Sequence, residues 1–284
     1  MLEMLMNPRK AERSPWEMFF VGAFYASVSI LLVNWIFSKD PVLSESSGIL
    51  MVTFTVMFSI PFIYYIIKLE EKKAGEEEGS FRILREHRKA LWAFLWLFMG
   101  FVVGYAFWYM LLPTTNVFTA QILTYCNINK PSDVKDCYSQ YGIKESQVTG
   151  FATNSERLFL IFTNNLYVLI FTLIFSLLFG AGVIFILAWN ASVIAAAMGI
   201  FAKSSLNSIP FALFRYMIHG IPEIASYFVA ALAGGIISVA VIAHEINTPK
   251  FWRVLQDSLN LIILAVVILF FAALMEVFLT PLFF

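Results

Sequence analysis

Three ionisable side chains stand in or beside long apolar sequence: His219, Glu223 and Glu276. His219 and Glu223 are four apart in Arg215-Tyr216-Met217-Ile218-His219-Gly220-Ile221-Pro222-Glu223. On one helix that spacing would place an imidazole and a carboxylate on the same face. Such a pair can cap a helix, form a polar functional site or supply two ligands to a metal. The intervening Gly-Ile-Pro argues for a break, with Pro222 opening the next helix. Glu223 would then sit in a first turn, where a negative charge suits the helix dipole. A zinc site needs a third ligand. His244 and Glu245 are near in sequence but belong to the far end of the following apolar run. No metal site and no cofactor are therefore expected.

Glu276 lies in Ala272-Ala273-Leu274-Met275-Glu276-Val277-Phe278-Leu279-Thr280-Pro281. A charge in such a setting faces protein or water rather than hydrocarbon. Cys126 and Cys137, the only two cysteines, fall in polar sequence rich in turn formers. In an oxidising exterior they would close a disulfide loop; the alternatives are two free thiols or a metal pair short of ligands. The recognised enzyme patterns are missing. There is no His-Glu-x-x-His, no Gly-x-Ser-x-Gly and no Gly-Lys-Ser/Thr phosphate loop. Ser and His occur, but no spacing singles out a nucleophile with its base, so no catalytic residue is expected.

The elements that must position these groups are membrane spans. Of 284 residues 60% are hydrophobic and 13% charged, about half the charge of a soluble domain. A soluble core of this length could not hide so much apolar surface; a bilayer removes the need. Nineteen basic and nineteen acidic residues balance. Nothing in that balance points to nucleic acid or a strongly charged substrate. The first apolar run, Trp16 to about Phe37, is too long for a signal core and reads as a retained span. Ser14, Pro15 and Glu17 mark its start as a capping box. Ile49 to Ile67 follows, with Pro61 inside, and then Ala90 to Leu112. Between them Lys68 to Lys89 is densely charged and reads as a solvated linker, or as a basic segment lying on anionic lipid.

After the cysteine segment, residues 113–157, the run Leu158 to Ala202 holds no charge in 45 residues. As one helix it would measure about 68 Å, against about 30 Å for a bilayer core, so it must turn back. Trp189-Asn190 is the preferred turn and Gly180-Ala181-Gly182 the other. Ile224 to Ala243 and Leu259 to about Leu279 complete seven spans; six remain if the long run crosses once. The expected fold is an all-α polytopic bundle. It divides into a two-span hairpin with its charged linker, 1–89, and a five-span core, 90–284. Arg9, Lys10, Arg13 and the basic residues of the linker set the N-terminus in the cytoplasm. Seven spans then put the cysteine segment and the C-terminus outside. In that order His219, Glu223 and Glu276 meet near the outer face. His219 approaches from a re-entrant segment beginning near Pro210, and the cluster mainly locks the fold.

The C-terminal half resembles a known family. The carriers are His219-Gly220-Ile221-Pro222-Glu223-Ile224-Ala225, the small-residue stretch Ala230-Ala231-Leu232-Ala233-Gly234-Gly235, and Ala272 to Pro281. Together they resemble the stage II sporulation protein M family over roughly residues 90–284. The resemblance implies a membrane component without catalytic chemistry, acting as a scaffold or assembly factor of the cell envelope. In endospore formers such a member looks like a holder of peptidoglycan-degrading enzymes. The implied partners are the lipid bilayer and other membrane or envelope proteins, with a homo-oligomer also compatible and nucleic acid not. Two other readings stay open: a transporter or channel built on broken helices and intramembrane acids, and a membrane-embedded hydrolase using His219 and Glu223.

Overall fold

The computed structural model describes residues 14–37, 40, 43–73, 88–112, 116–129, 134–140, 154–179, 183–204, 209–242 and 248–283. Among them there is no strand, and seven helices are long and apolar enough to cross a membrane. The chain is an all-α polytopic membrane bundle. The charged linker lies largely outside the described residues, as do His244 and Glu245.

The spans are α1 (Met18–Phe37), α2 (Ser47–Lys73), α3 (Arg88–Leu111), α6 (Asn154–Phe179), α7 (Val183–Ser204), α8 (Ile209–Ile242) and α9 (Pro249–Leu274). Two short helices, α4 (Thr119–Asn129) and α5 (Val134–Gln140), lie between α3 and α6. After α9 the helix widens into a π turn, Met275–Leu279, and ends as α10 (Thr280–Phe283). A 3-10 turn, Pro15–Glu17, leads into α1 with Ser14 at the cap position. The Ser14 hydroxyl makes no cap bond; its carbonyl instead accepts from the Glu17 N–H at 3.0 Å.

Two boundaries differ from expectation. The long uncharged run forms two helices, one ending at Phe179 and the next starting at Val183, and is continuous through Trp189-Asn190; residues 180–182, the other expected turn, lie outside the described residues. Inside α7 the Asn190 amide donates to the Ile186 carbonyl at 2.9 Å, and Ser192 donates to Trp189 at 2.7 Å. Both polar groups are thus satisfied by the preceding turn and need no break. Glycine, by contrast, is poor in a helix interior. The second difference is α8, which runs unbroken through Pro222. The expected break at Gly220-Ile221-Pro222 and the re-entrant segment from Pro210 are both replaced by continuous helix. A proline removes one N–H and crowds one carbonyl, which a span enclosed by neighbours tolerates.

The interior forms two clusters. Residues of α1, α2, α3, α4, α5 and α7 make the larger, with Ile224, Phe228 and Ala231 of α8. Leu169 of α6, Tyr227, Ala230, Ala233 and Ile236 of α8, and Leu261, Ala265 and Leu269 of α9 make the smaller. α8 is therefore the wall between them, and it is the most enclosed of the spans. Between α1 and α3 the backbones nearly touch: a Cβ on Gly100 would run into the Phe19 carbonyl and meet Gly22 Cα at 3.0 Å. Close approach of this kind through small residues is how spans gain van der Waals contact without a hydrophobic driving force. Tyr105 of α3 then donates to Thr55 of α2 at 2.7 Å, fixing the third member of that group.

The α4–α5 segment covers one end of the larger cluster. Phe118, Ile122, Tyr125 and Tyr138 are buried in it. Cys126 and Cys137 are joined by a disulfide, Cα to Cα 5.9 Å. The Gln121 amide donates to the Gly48 carbonyl at the head of α2, at 3.0 Å.

Candidate functional site

His219 and Glu223 share a face of α8 because the helix does not break between them. Glu223 thus lies mid-helix, remote from the positive end of any dipole, and the expected capping role falls away. Its carboxylate oxygen Oε1 accepts from the Tyr227 hydroxyl at 2.9 Å, one turn further along. Ser226 donates to the Glu223 carbonyl at 2.6 Å, which keeps a second hydroxyl off the lipid.

His219 turns toward the end of the chain. Its Nδ1 lies 3.3 Å from Thr280 Oγ1. Thr280 in turn donates to the Met275 carbonyl at 3.1 Å, and its backbone N–H reaches the same carbonyl across the π turn. The threonine hydroxyl has one proton, already directed to Met275, so His219 Nδ1 is the donor when the Thr280 oxygen accepts. The π turn is what sets this up: one extra residue per turn carries Thr280 round to face α8.

Glu276 sits in that π turn. It is within electrostatic reach of Glu223 on α8 and of Arg157 near the start of α6. Three elements therefore converge on one end of the smaller cluster: α8 with His219 and Glu223, the π turn with Glu276 and Thr280, and α6 with Arg157. His219, Glu223 and Glu276 are each half-buried. Gly220, next to His219, is buried, yet a Cβ there would meet nothing within 4 Å.

Chemically, this set can hold charge and hand hydrogen bonds between helices. Two hydroxyl contacts, Tyr227 on Glu223 and Thr280 on His219, hold one carboxylate oxygen and one imidazole nitrogen, and Arg157 attracts Glu276 electrostatically. A nucleophile backed by a base is not among these contacts. Among the described residues no group of three or more His, Cys, Asp and Glu is placed to hold a metal ion. Sequence reading singled out His219, Glu223 and Glu276 and missed Tyr227, Thr280 and Arg157. Tyr227 carried a signal, since it is one helical turn from Glu223. Thr280 did not, because its approach depends on the π turn.

No curated protein and no solved structure matches the chain. The family model of stage II sporulation protein M matches residues 91–281. That stretch holds α3 to the π turn, with the whole polar site, and leaves out α1 and α2. On that match the chain belongs to the stage II sporulation protein M family.

Proposed function

We propose that this protein is a scaffold or assembly factor of the cell envelope, holding other membrane proteins and doing no chemistry of its own. The observation that carries the reading is the His219–Thr280 contact. His219 ties α8 to the turn that carries Thr280, and Glu223 is held within α8 by Tyr227. A rigid, internally locked bundle suits a platform. Family membership supports the same reading, since none of the recognised catalytic patterns accompanies it.

The orientation proposed is N-terminus in the cytoplasm and C-terminus outside, so that the polar site faces the outer leaflet. Exposed Trp16, Trp92 and Trp252 lie near the starts of spans that would leave the cytoplasm, and exposed Trp35 near the outer end of α1, as tryptophan marks both interfaces. Exposed Arg88, Lys89 and Arg253 lie beside them, as the positive-inside rule requires of the cytoplasmic side. The transporter reading keeps only its intramembrane acids, because the broken helix it relied on is continuous.

Crosslinking and pull-down from the native membrane test the proposal. Recovery of a reproducible set of envelope proteins is expected, with no flux through vesicles holding the purified chain. Ion or solute flux that disappears in Glu276→Ala would replace the scaffold with a transporter.

A further inference from the structure

A span that crosses lipid alone should show lipid only apolar side chains. α6 departs from this. It is the least enclosed of the seven spans. Its outward face carries Leu160, Asn164, Tyr167, Phe171 and Ile174, all exposed. Asn164 lies near the middle of the Ser155–Leu177 span. Among the described residues no other amide or charged side chain is exposed so close to the middle of a span. Its hydrogen bond to the neighbouring Asn165 is long, 3.5 Å. The buried face of α6 is a different one, formed by Leu169, Thr172 and Ser176, where Ser176 donates to the Ala231 carbonyl of α8 at 2.6 Å.

The exposed residues are spaced four, three, four and three apart. That is the a/d alternation by which two helices lock side by side, and Asn164 stands at an a position. A single asparagine at such a position specifies a parallel pair, because the two amides bond across the seam. Spans without a hydrophobic drive to associate use the same polar contact.

We propose that α6 is a self-association face, pairing with α6 of a second copy about a two-fold axis normal to the membrane. The argument for a second copy is geometric. Insertion fixes the orientation and depth of every copy, so two α6 helices meet parallel and in register. Asn164 then faces Asn164 of the other copy, each amide N–H donating to the other's carbonyl. A different partner would need its own polar group at that depth. The two copies would present their polar sites and α4–α5 segments on the same side.

Crosslinking of the full chain in phosphatidylcholine vesicles tests this. Among the described residues there is no free thiol, so an introduced cysteine reports alone. Tyr167→Cys, on the stripe, should crosslink to a second copy at least ten times more than Val103→Cys, exposed on α3. Adding Asn164→Leu should lower that yield about tenfold, and Asn164→Gln should retain most of it. Equal yields at the two sites, or no effect of Asn164→Leu, would overturn the proposal. So would crosslinking in the native membrane to a different protein at the expense of the homodimer. Stepwise photobleaching of the unsubstituted chain, carrying one attached fluorophore per copy, guards against a misfolded variant: two steps are expected, and single steps at every protein-to-lipid ratio would also refute pairing.

Discussion

His219 Nδ1 stands 3.3 Å from Thr280 Oγ1, a contact across 61 residues of sequence. It joins the most enclosed span to the last turn of the chain, through a threonine that is already bonded to Met275. Polar contacts of this kind between spans average about 0.6 kcal/mol and reach about 1.7 kcal/mol. His219→Ala and Thr280→Val should each lower stability by about 1 kcal/mol. The double variant should cost less than their sum. Unfolding in detergent would measure this as a thermodynamic cycle, and strict additivity would mean the two side chains do not interact.

Glu223 and Tyr227 make a second, sharper test. Glu223→Gln keeps an oxygen for the tyrosine hydroxyl and should be mild. Glu223→Leu leaves that hydroxyl buried without its acceptor and should cost about 1–3 kcal/mol. Combining Glu223→Leu with Tyr227→Phe should recover part of the loss. Thermal unfolding of the three variants, compared side by side, gives the answer.

Two glycines should respond in opposite ways. Gly100 faces the Phe19 carbonyl with no room for a side chain, so Gly100→Leu should force α1 and α3 apart at about 1–3 kcal/mol. Gly220 has open space in the Cβ direction. Gly220→Ala should be neutral or stabilising by up to about 1 kcal/mol, since alanine is the better helix former. Melting temperatures of the pair would separate a packing role from a conformational one.

The Cys126–Cys137 link should be quantitative in protein taken from the native membrane, with no thiol labelled after denaturation without reductant. Closing a loop of sequence separation 11 is worth about 3 kcal/mol in the chain-entropy account. Cys126→Ser with Cys137→Ser should lose about that much. The loss should appear first as faster proteolysis of the α4–α5 segment.

Runs of uncharged residues made the spans legible, because a bilayer tolerates little else over that length. Helix ends were less so. At Trp189-Asn190 the polar side chain looked like a turn, yet it bonds back to Ile186 within α7. At Pro222 a soluble-protein rule predicted a helix start, but inside the bundle the proline is absorbed and Glu223 becomes an interior residue. His219 and Glu223 could be singled out as charges in apolar sequence. Thr280 could not, since its direction comes from the π turn. Asn164 was invisible for another reason: its interest lies in being exposed, and sequence alone does not say which face of α6 meets lipid.

α8 stands between two apolar clusters and contributes side chains to both. During synthesis it emerges sixth of the seven spans, after α1, α2, α3, α6 and α7. Until it arrives, α3 and α7 lack Ile224 and Phe228, and α6 lacks Leu232 and Ala233. α3, α6 and α7 therefore wait in the bilayer with part of their packing surface uncovered. A chain arrested before residue 209 would leave both groups open at once. For the insertion machinery and the proteases that patrol it, the arrival of this one helix closes the larger group, while the smaller still waits for α9.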